Sequence, residues 1–376
     1  MLRVSLRSPE LYLQKKSGYS RRPVTPKDWG VEGRGNLESW RQYGYIAANH
    51  RDTEGNGPQS RTVSRTLEYA YDDFSIAVLA RGLKHDADHA KYMNRSAFWR
   101  NVWNPEQADL YFDERGDLRR TRFTGFPQPR LMDGTFKYQN TRTCSPGHEP
   151  HKCYYDTMQA TYEGSPWLYS FYAPQDMAGL VEVFGGREAF FDRLEYYHDS
   201  GIVYMGNEQA YLTVFQFHYA GRPGRSSHWV NEYIPAQFNA SLNGIPGNDD
   251  CAMGAFAAMA MMGFFPVAGQ SVYLLTAPFF PEVRLRSRLG GWERPAVIRS
   301  VVEGRGRARG EDGGGSGRRE AIYIQGAKLD GRPYARNWIS HDFFMEGGVL
   351  ELTLGTEEGS WGTADEDLPP SFPPAG

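Results

Sequence analysis

Two acidic segments of this chain have residue types that could do chemistry. The first, Leu242 to Val267, reads LNGIPGNDDCAMGAFAAMAMMGFFPV and sets two adjacent carboxylates, Asp249 and Asp250, against an apolar run. The flanks, Ile245-Pro246-Gly247 on one side and Cys251, Met253 and Phe256 on the other, argue for burial, and an uncompensated buried charge is expensive. A plain helix start is the competing reading, because Asn and Asp cap helix N-termini and favour the positive end of the helix dipole. The second segment, Thr161 to Asp176, reads TYEGSPWLYSFYAPQD and holds one acid, Glu163, among Tyr162, Trp167, Tyr169, Phe171 and Tyr172. Aromatic faces stack on sugars, and an apolar wall raises a carboxyl pKa so that the group stays protonated as a general acid. Glycoside hydrolysis needs such a divided pair, one acid to protonate the leaving oxygen and one carboxylate to act on water or on the sugar. The competing reading makes these aromatics ordinary core and Glu163 a helix-start acid.

The chain has 376 residues, a net charge of −3, a sequence pI near 6.3 and 14% aromatic residues. That composition is globular and gives no electrostatic footprint for nucleic acid. The first residues, MLRVSLRSPELYLQKKSGYSRRP, contain Arg and Lys throughout and no apolar run of signal-peptide length. No later stretch reaches the roughly 18 uncharged apolar residues of a membrane span. Cys144 and Cys153 bracket SPGHEPHK, a spacing that suits a local disulfide in an oxidising compartment; the sequons Asn94-Arg95-Ser96 and Asn239-Ala240-Ser241 point the same way. A metal site using His148 and His151 is the weaker alternative, since Cys-x8-Cys matches no familiar zinc spacing.

Positioning elements are legible in the periodicity. Helical spacing marks Thr62 to Gly82, with Gly82 as its C-cap, then a helix through Ala90, Met93 and Ala97 that ends near Asn104-Pro105. A long aromatic loop is expected from Phe112 to Trp167, with a short strand near Gly134. Helices return around Met177 to Phe184, Ala189 to Tyr197, Leu212 to Tyr219, His228 to Phe238 and Met253 to Met262. Their short connections imply antiparallel hairpins. Strands are expected at Val272 to Leu275, Ile322 to Ile324, Asn337 to Ser340 and Val349 to Leu354. The tract from Glu303 to Glu320, rich in Gly and Arg, reads as a disordered hairpin loop rather than an RNA-binding segment.

Eight ordered blocks give the chain a family resemblance: WRQYGYI at Trp40, SRTLEYAYDDF at Ser64, YEGSPWLYSFYAPQDM at Tyr162, GGREAFFDRL at Gly185, GNEQAYLTVFQFHYAGRP at Gly206, GIPGNDD at Gly244, GFFPVAGQ at Gly263 and YIQGAKLDGRPYARNWISHDFF at Tyr323. Together they resemble the fungal-type branch of glycoside hydrolase family 92, the calcium-dependent α-mannosidases, from about Trp40 to the C-terminus. The resemblance implies an exo-acting, inverting hydrolase of α-1,2-mannosidic bonds acting on mannose-containing glycans or glycoproteins, with no nucleic-acid or membrane partner. It implies Glu163 as general acid and Asp250 as general base, with Asp249 beside it. Asn207, Glu208 and Asn248 would belong to the calcium and mannose site, and Glu68, Tyr69, Asp72, Asp73 and Trp167 would line or support the same pocket.

The fold that follows is mainly α: an incomplete (α/α)6 barrel of antiparallel hairpins over 36–268, after an irregular segment 1–35 and before a small β-rich tail, 269–376, with its loop at about 303–320. The family's upstream β-sandwich has no counterpart before Trp40, so the chain reads as truncated at the N-terminus, and full-length relatives are expected to be secreted. Departures from the family pattern are Gln209 in the NEP motif, Ala173 and Gln175 in the VPHD motif, and a run after Asp250, CAMG, that is one residue shorter than the pattern. The alternative function is a non-catalytic, glycan-binding remnant of such an enzyme.

Overall fold

The computed structural model describes residues 35–51, 61–113, 115–155, 159–247, 250–286, 294–303 and 320–371. They divide into two compact units, one of the described residues of 35–183 with 199–203, the other of those of 184–198 and 204–371. The helices after Phe184 therefore share a unit with the C-terminal strands, and the boundary expected at 268 falls inside that unit.

In the first unit, α1 (Leu37–Tyr43), α2 (Thr62–Gly82) and α3 (Asp86–Ser96) are followed by a 3-10 turn, Ala97–Val102, and an antiparallel hairpin of β1 (Trp103–Phe112) and β2 (Leu118–Pro127). The α2 bounds match the periodicity. Gly82 is still helical, however, and the left-handed residue that turns the chain is Lys84, at φ 61°. Ile76 and Ala77 of α2 pack on Tyr92 of α3. The fully buried Trp40 of α1 donates its indole N–H to Asp73 of α2 at 3.2 Å. Beyond the hairpin come the short helices α4 (Pro166–Tyr169) and α5 (Met177–Val183). Asp176 starts α5 by accepting the Gly179 N–H at 3.0 Å, and it also takes the Trp99 indole N–H at 3.0 Å and Arg100 at 3.3 Å. No strand forms at Gly134, where Arg130 and Phe136 make only an isolated bridge.

The second unit begins with α6 (Arg187–Asp199), α7 (Tyr211–Phe215), α8 (Pro223–Gln237) and α9 (Asp250–Met262). Met253, Phe256 and Ala260 form the buried stripe of α9, with Phe256 stacked on Tyr211 at 4.5 Å between ring centroids. Two sheets follow. One has three antiparallel strands, β3 (Phe264–Pro266), β4 (Tyr273–Leu275) and β9 (Trp338–Ile339). The other has five, in the order β5 (Glu282–Leu285), β6 (Ala296–Val302), β10 (Gly348–Gly355), β7 (Tyr323–Leu329), β8 (Arg332–Pro333). Central β10 alternates strictly, with Leu350, Leu352 and Leu354 buried against Ile298, Phe343 of the short α10 (Asp342–Glu346) and Trp361. Because β10 runs parallel to β6 and separates it from β7, the chain between β6 and β7 is not a hairpin connection, contrary to the expectation for 303–320. Residues 304–319 themselves lie outside the described residues.

Ten strands in three sheets among the described residues correct the expectation of a mainly α chain built as an incomplete (α/α)6 barrel with a small β tail. Two causes are visible. The β1–β2 hairpin starts where a helix was expected to end, near Asn104-Pro105, and its second strand falls in the loop expected from Phe112 to Trp167; Pro105 lies in the irregular stretch between the Asn104 and Ala108 pairings, where a missing N–H costs no ladder bond. And β6, AVIRSVV, is an unalternating apolar run that carries no period-two signal.

Two histidines in the second unit are buried neutral. His218 bonds through Nε2 to the Leu275 carbonyl at 2.8 Å and through Nδ1 to Ser226 Oγ at 3.0 Å; His198 Nδ1 meets the Tyr233 hydroxyl at 2.8 Å. Burial depresses His218 to about 4 and His198 to about 3, from the ordinary 6.5. A histidine pKa lowered by folding contributes stability that is present above 6.5 and lost as pH falls through the folded values. Urea unfolding is therefore expected to show stability of this unit falling between pH 6.5 and 4 with a slope approaching about 2.7 kcal/mol per pH unit for two protons, and His198→Gln is expected to flatten it.

Candidate functional site

The carboxylates divide between the units. In the first unit, Glu163 sits in a left-handed backbone conformation, φ 57°, which a non-glycine residue adopts at a cost of about 1–3 kcal/mol and which tends to mark functional positions. The chain around it is clamped. Arg61 Nη1 donates to the Thr161 carbonyl at 2.9 Å and its guanidinium lies 5.1 Å from the Tyr162 ring centroid, while the buried Tyr169 hydroxyl donates to the Tyr162 carbonyl at 2.6 Å. Ser165 then caps α4 through its Oγ, accepting the Leu168 N–H at 3.2 Å, with Pro166 at the first helical position. So EGSP is a turn into a helix, with Glu163 held at the strained residue before it.

Beside this turn lies Glu68 of α2, which accepts a hydrogen bond from the Tyr172 hydroxyl at 2.9 Å. Burial raises the Glu68 carboxyl to about 7; the Tyr172 hydrogen bond opposes that rise, and the charges of Asp72 and Glu163 add to it. Helical spacing explains how the LEYAYDD block is shared out. Glu68 and the exposed Asp72 are four residues apart on one face, and Tyr69 and Asp73 are four apart on another, turned into the core. Tyr69 packs edge-on against Trp40 at 5.8 Å and donates to the Gly35 carbonyl at 3.1 Å, and Asp73 holds the Trp40 indole. These two residues support the helix rather than line a cleft.

Trp167 also differs from its expected place. It is fully buried, with Phe123 and Phe126 edge-on at 5.4 and 5.1 Å, so its ring is core and not a sugar platform. The Trp167 indole helps to favour the charged form of Asp109, which is part of a network with no sequence signal. Asp109 accepts Arg142 at 2.6 Å and Thr141 Oγ1 at 2.6 Å, and Arg142 lies 3.8 Å from the Tyr111 ring centroid. Burial alone would raise the Asp109 carboxyl, but the Arg142 and Thr141 hydrogen bonds and the Arg142 charge hold it below its usual range. Since the Trp167 N–H also donates to the Thr141 carbonyl at 3.1 Å, this buried pair braces the α4 end of the segment that carries Glu163. Nearby, Cys144 and Cys153 are joined as a disulfide with Cα atoms 5.4 Å apart.

In the second unit, Asn207 is buried and Glu208, partly buried, opens a 3-10 turn, Glu208–Ala210. Gly247, at φ 79°, leaves no room for a Cβ, which would overlap the Gly206 carbonyl and the Met253 side chain. Gly247 is thus packed against the backbone of Gly206, and only glycine serves at position 247. Asp250 is the first residue of α9; Asn248 and Asp249 lie outside the described residues. Among the described residues no cluster of three acidic, His or Cys side chains forms a ready metal cage. The donors in place, the Asn207 amide and the Glu208 carboxylate, are hard oxygen ligands of the kind calcium takes, so the chemistry of the set fits that ion.

The catalytic-domain profile of glycosyl hydrolase family 92 matches residues 10–356, and the chain belongs to this family. That match begins upstream of Trp40. The chain is 44% identical over 350 residues, 93% of its length, to a secreted glycosidase of Arthroderma benhamiae, of which it spans 43%. Among solved structures it resembles a family 92 α-mannosidase of Bacteroides thetaiotaomicron in complex with mannoimidazole, at 21% identity and TM-score 0.69 over 90% of this chain and 41% of that one. It also resembles a family 92 inverting mannosidase of the same organism, at 21% identity and TM-score 0.71 over 96% of this chain and 44% of that one. The chain spans less than half the length of these relatives.

A prediction arises at Glu68. Its folded pKa, about 7, lies above the usual 4.5, so its contribution to stability is full below 4.5 and is lost as pH rises through 7. Glu68→Gln is expected to gain stability over the parent between pH 5 and 7.5, on the order of 2 kcal/mol by the upper end, read from denaturant midpoints across that range. A parallel pH dependence in both proteins would refute the assignment.

Proposed function

We propose that this chain is a calcium-dependent exo-α-mannosidase that hydrolyses α-1,2-mannosidic bonds with inversion, acting on mannose-containing glycans or glycoproteins in the secretory pathway or outside the cell. The observation that carries the proposal is Glu163, an acid kept in a strained left-handed turn by three separate clamps, in a chain of family 92. In this reading Glu163 protonates the leaving glycosidic oxygen. Asp250, with Asp249 beside it, takes the proton from the attacking water on the opposite face of the sugar. Glu68, raised to about 7 by burial and bonded to the Tyr172 hydroxyl, keeps a second proton beside the turn that holds Glu163. Asn207, Glu208 and Asn248 would hold calcium, which when bound supplies a hard centre for sugar hydroxyls. The bacterial structure holding mannoimidazole and the secretion of the Arthroderma relative support the substrate class and the compartment.

A second reading, a glycan-binding remnant without turnover, draws on the run after Asp250, where Cys251-Ala252-Met253-Gly254 is one residue shorter than the pattern it resembles and α9 begins at Asp250 itself. Small displacements of a catalytic group can cost about a hundredfold in rate. Incubating the protein with α-1,2-mannobiose in calcium buffer decides between them. The enzyme releases β-mannose first, and a chelator abolishes the release. A folded protein that retains mannan on an affinity column and releases no sugar would establish the remnant.

A further inference from the structure

Of the two N-x-Ser sequons, the structure makes one an open loop and the other a helix. Asn94 lies in α3, and Ser96, two residues on, is completely buried with its Oγ donating to the Met93 carbonyl at 2.6 Å. Asn239 lies just past the end of α8, and it and the three residues that follow are all exposed, with Leu242 at 101%. The loop is closed by its own backbone: the Asn239 N–H donates to the Gly244 carbonyl at 2.8 Å and the Gly244 N–H to the Ser241 carbonyl at 3.1 Å. Asn239 Oδ1 accepts the Ser241 N–H at 2.9 Å, an Asx-turn that brings the acceptor amide and the hydroxyl residue together and engages the side chain through oxygen. The amide nitrogen, the atom that glycosylation uses, takes no part in that bond.

We propose that Asn239 is N-glycosylated and that the glycan covers the apolar tip formed by Leu242 and Ile245. In the transfer, Asn239 Nδ2 gives up a proton to the transferase's base and bonds to the anomeric carbon of a lipid-pyrophosphate-linked oligosaccharide. The bond from that carbon to the pyrophosphate oxygen breaks, and the lipid pyrophosphate leaves with the electron pair. The Cys144–Cys153 disulfide is of the kind formed in the compartment that holds this donor. The proposal rests on the secretory route given above.

The test is translation of the full chain behind a cleavable leader with endoplasmic-reticulum microsomes, counting only the protease-protected chains, which are those that have been translocated. These are expected to carry an endoglycosidase-sensitive mass increment, to lose one glycan in Asn239→Gln and in Ser241→Ala, and to keep it in Ser241→Thr. Protected chains without an increment, or with the same number of glycans in Asn239→Gln as in the parent, would overturn the proposal. Either result leaves the mannosidase reading intact, because hydrolysis is measured separately on the purified protein.

Discussion

Glu163→Gln is expected to lower the release of mannose from α-1,2-mannobiose by about 10²- to 10⁴-fold, the contribution typical of a positioned general acid. The loss depends on the leaving group. A sugar alkoxide is a poor leaving group and needs the proton, whereas a dinitrophenolate leaves without one, so hydrolysis of a dinitrophenyl α-mannoside is expected to fall far less. Asp250→Asn removes the proposed base instead, and its loss is expected to be similar on both substrates. The glutamine at 163 keeps the size of the side chain and the left-handed turn, with Arg61, Tyr169 and Ser165 still in place, so a change in the unfolding midpoint is not expected. Equal losses on the two substrates in Glu163→Gln would remove the acid assignment.

Arg142→Met is expected to cost about 3–5 kcal/mol of stability, the range for removing one partner of a buried ion pair. Asp109 and Arg142 are both buried and bonded at 2.6 Å, and without the guanidinium the carboxylate keeps the Thr121 and Thr141 hydroxyls but no positive charge. Methionine keeps the unbranched apolar stem, while the guanidinium that lies 3.8 Å from the Tyr111 ring centroid is lost together with the ion pair. The pH dependence distinguishes this from a cavity effect. In the parent, the Asp109 pKa is below the unfolded 3.8, so the pair stabilises above that value and the gain is lost as pH falls through the folded pKa. In Arg142→Met the desolvated carboxyl is expected to titrate above 3.8, which makes the variant most stable in mild acid. The double variant with Asp109→Asn is expected to recover much of the loss, as coupled partners do in a double-mutant cycle. Thermal unfolding of the four proteins at pH 5 and 7.5 checks both statements.

Residue type and spacing made much of this chain legible. The 3.6-residue pattern from Thr62 to Gly82 located α2, although Gly82 is helical rather than its cap, and the strand expected at Val349 to Leu354 is the centre of the larger sheet. Both signals are local: one face of each element must be apolar whatever it packs on. The ordered motif blocks likewise led to the family, because eight short matches in sequence order rarely coincide. Legibility failed where the deciding partner is distant in sequence. Nothing in TRTCSP indicates that Arg142 is buried, because its reason is Asp109, 33 residues away. Trp167 appeared as a sugar platform until Phe123 and Phe126 took up its ring. In the LEYAYDD block the sequence offered four candidate polar residues, and only the orientation of α2 against Trp40 assigned Tyr69 and Asp73 to the core and left Glu68 beside Tyr172.

The sequence by itself determined the helix periods, the alternating strand, the family and the identity of the candidate acid, because each is written in neighbouring residues. Tertiary structure alone decided the β1–β2 hairpin, the insertion of β10 between β6 and β7, the buried Asp109–Arg142 pair and the strained turn at Glu163. Those depend on which surfaces meet and on how much water is excluded when they do, and desolvation is a property of the assembled fold rather than of any segment.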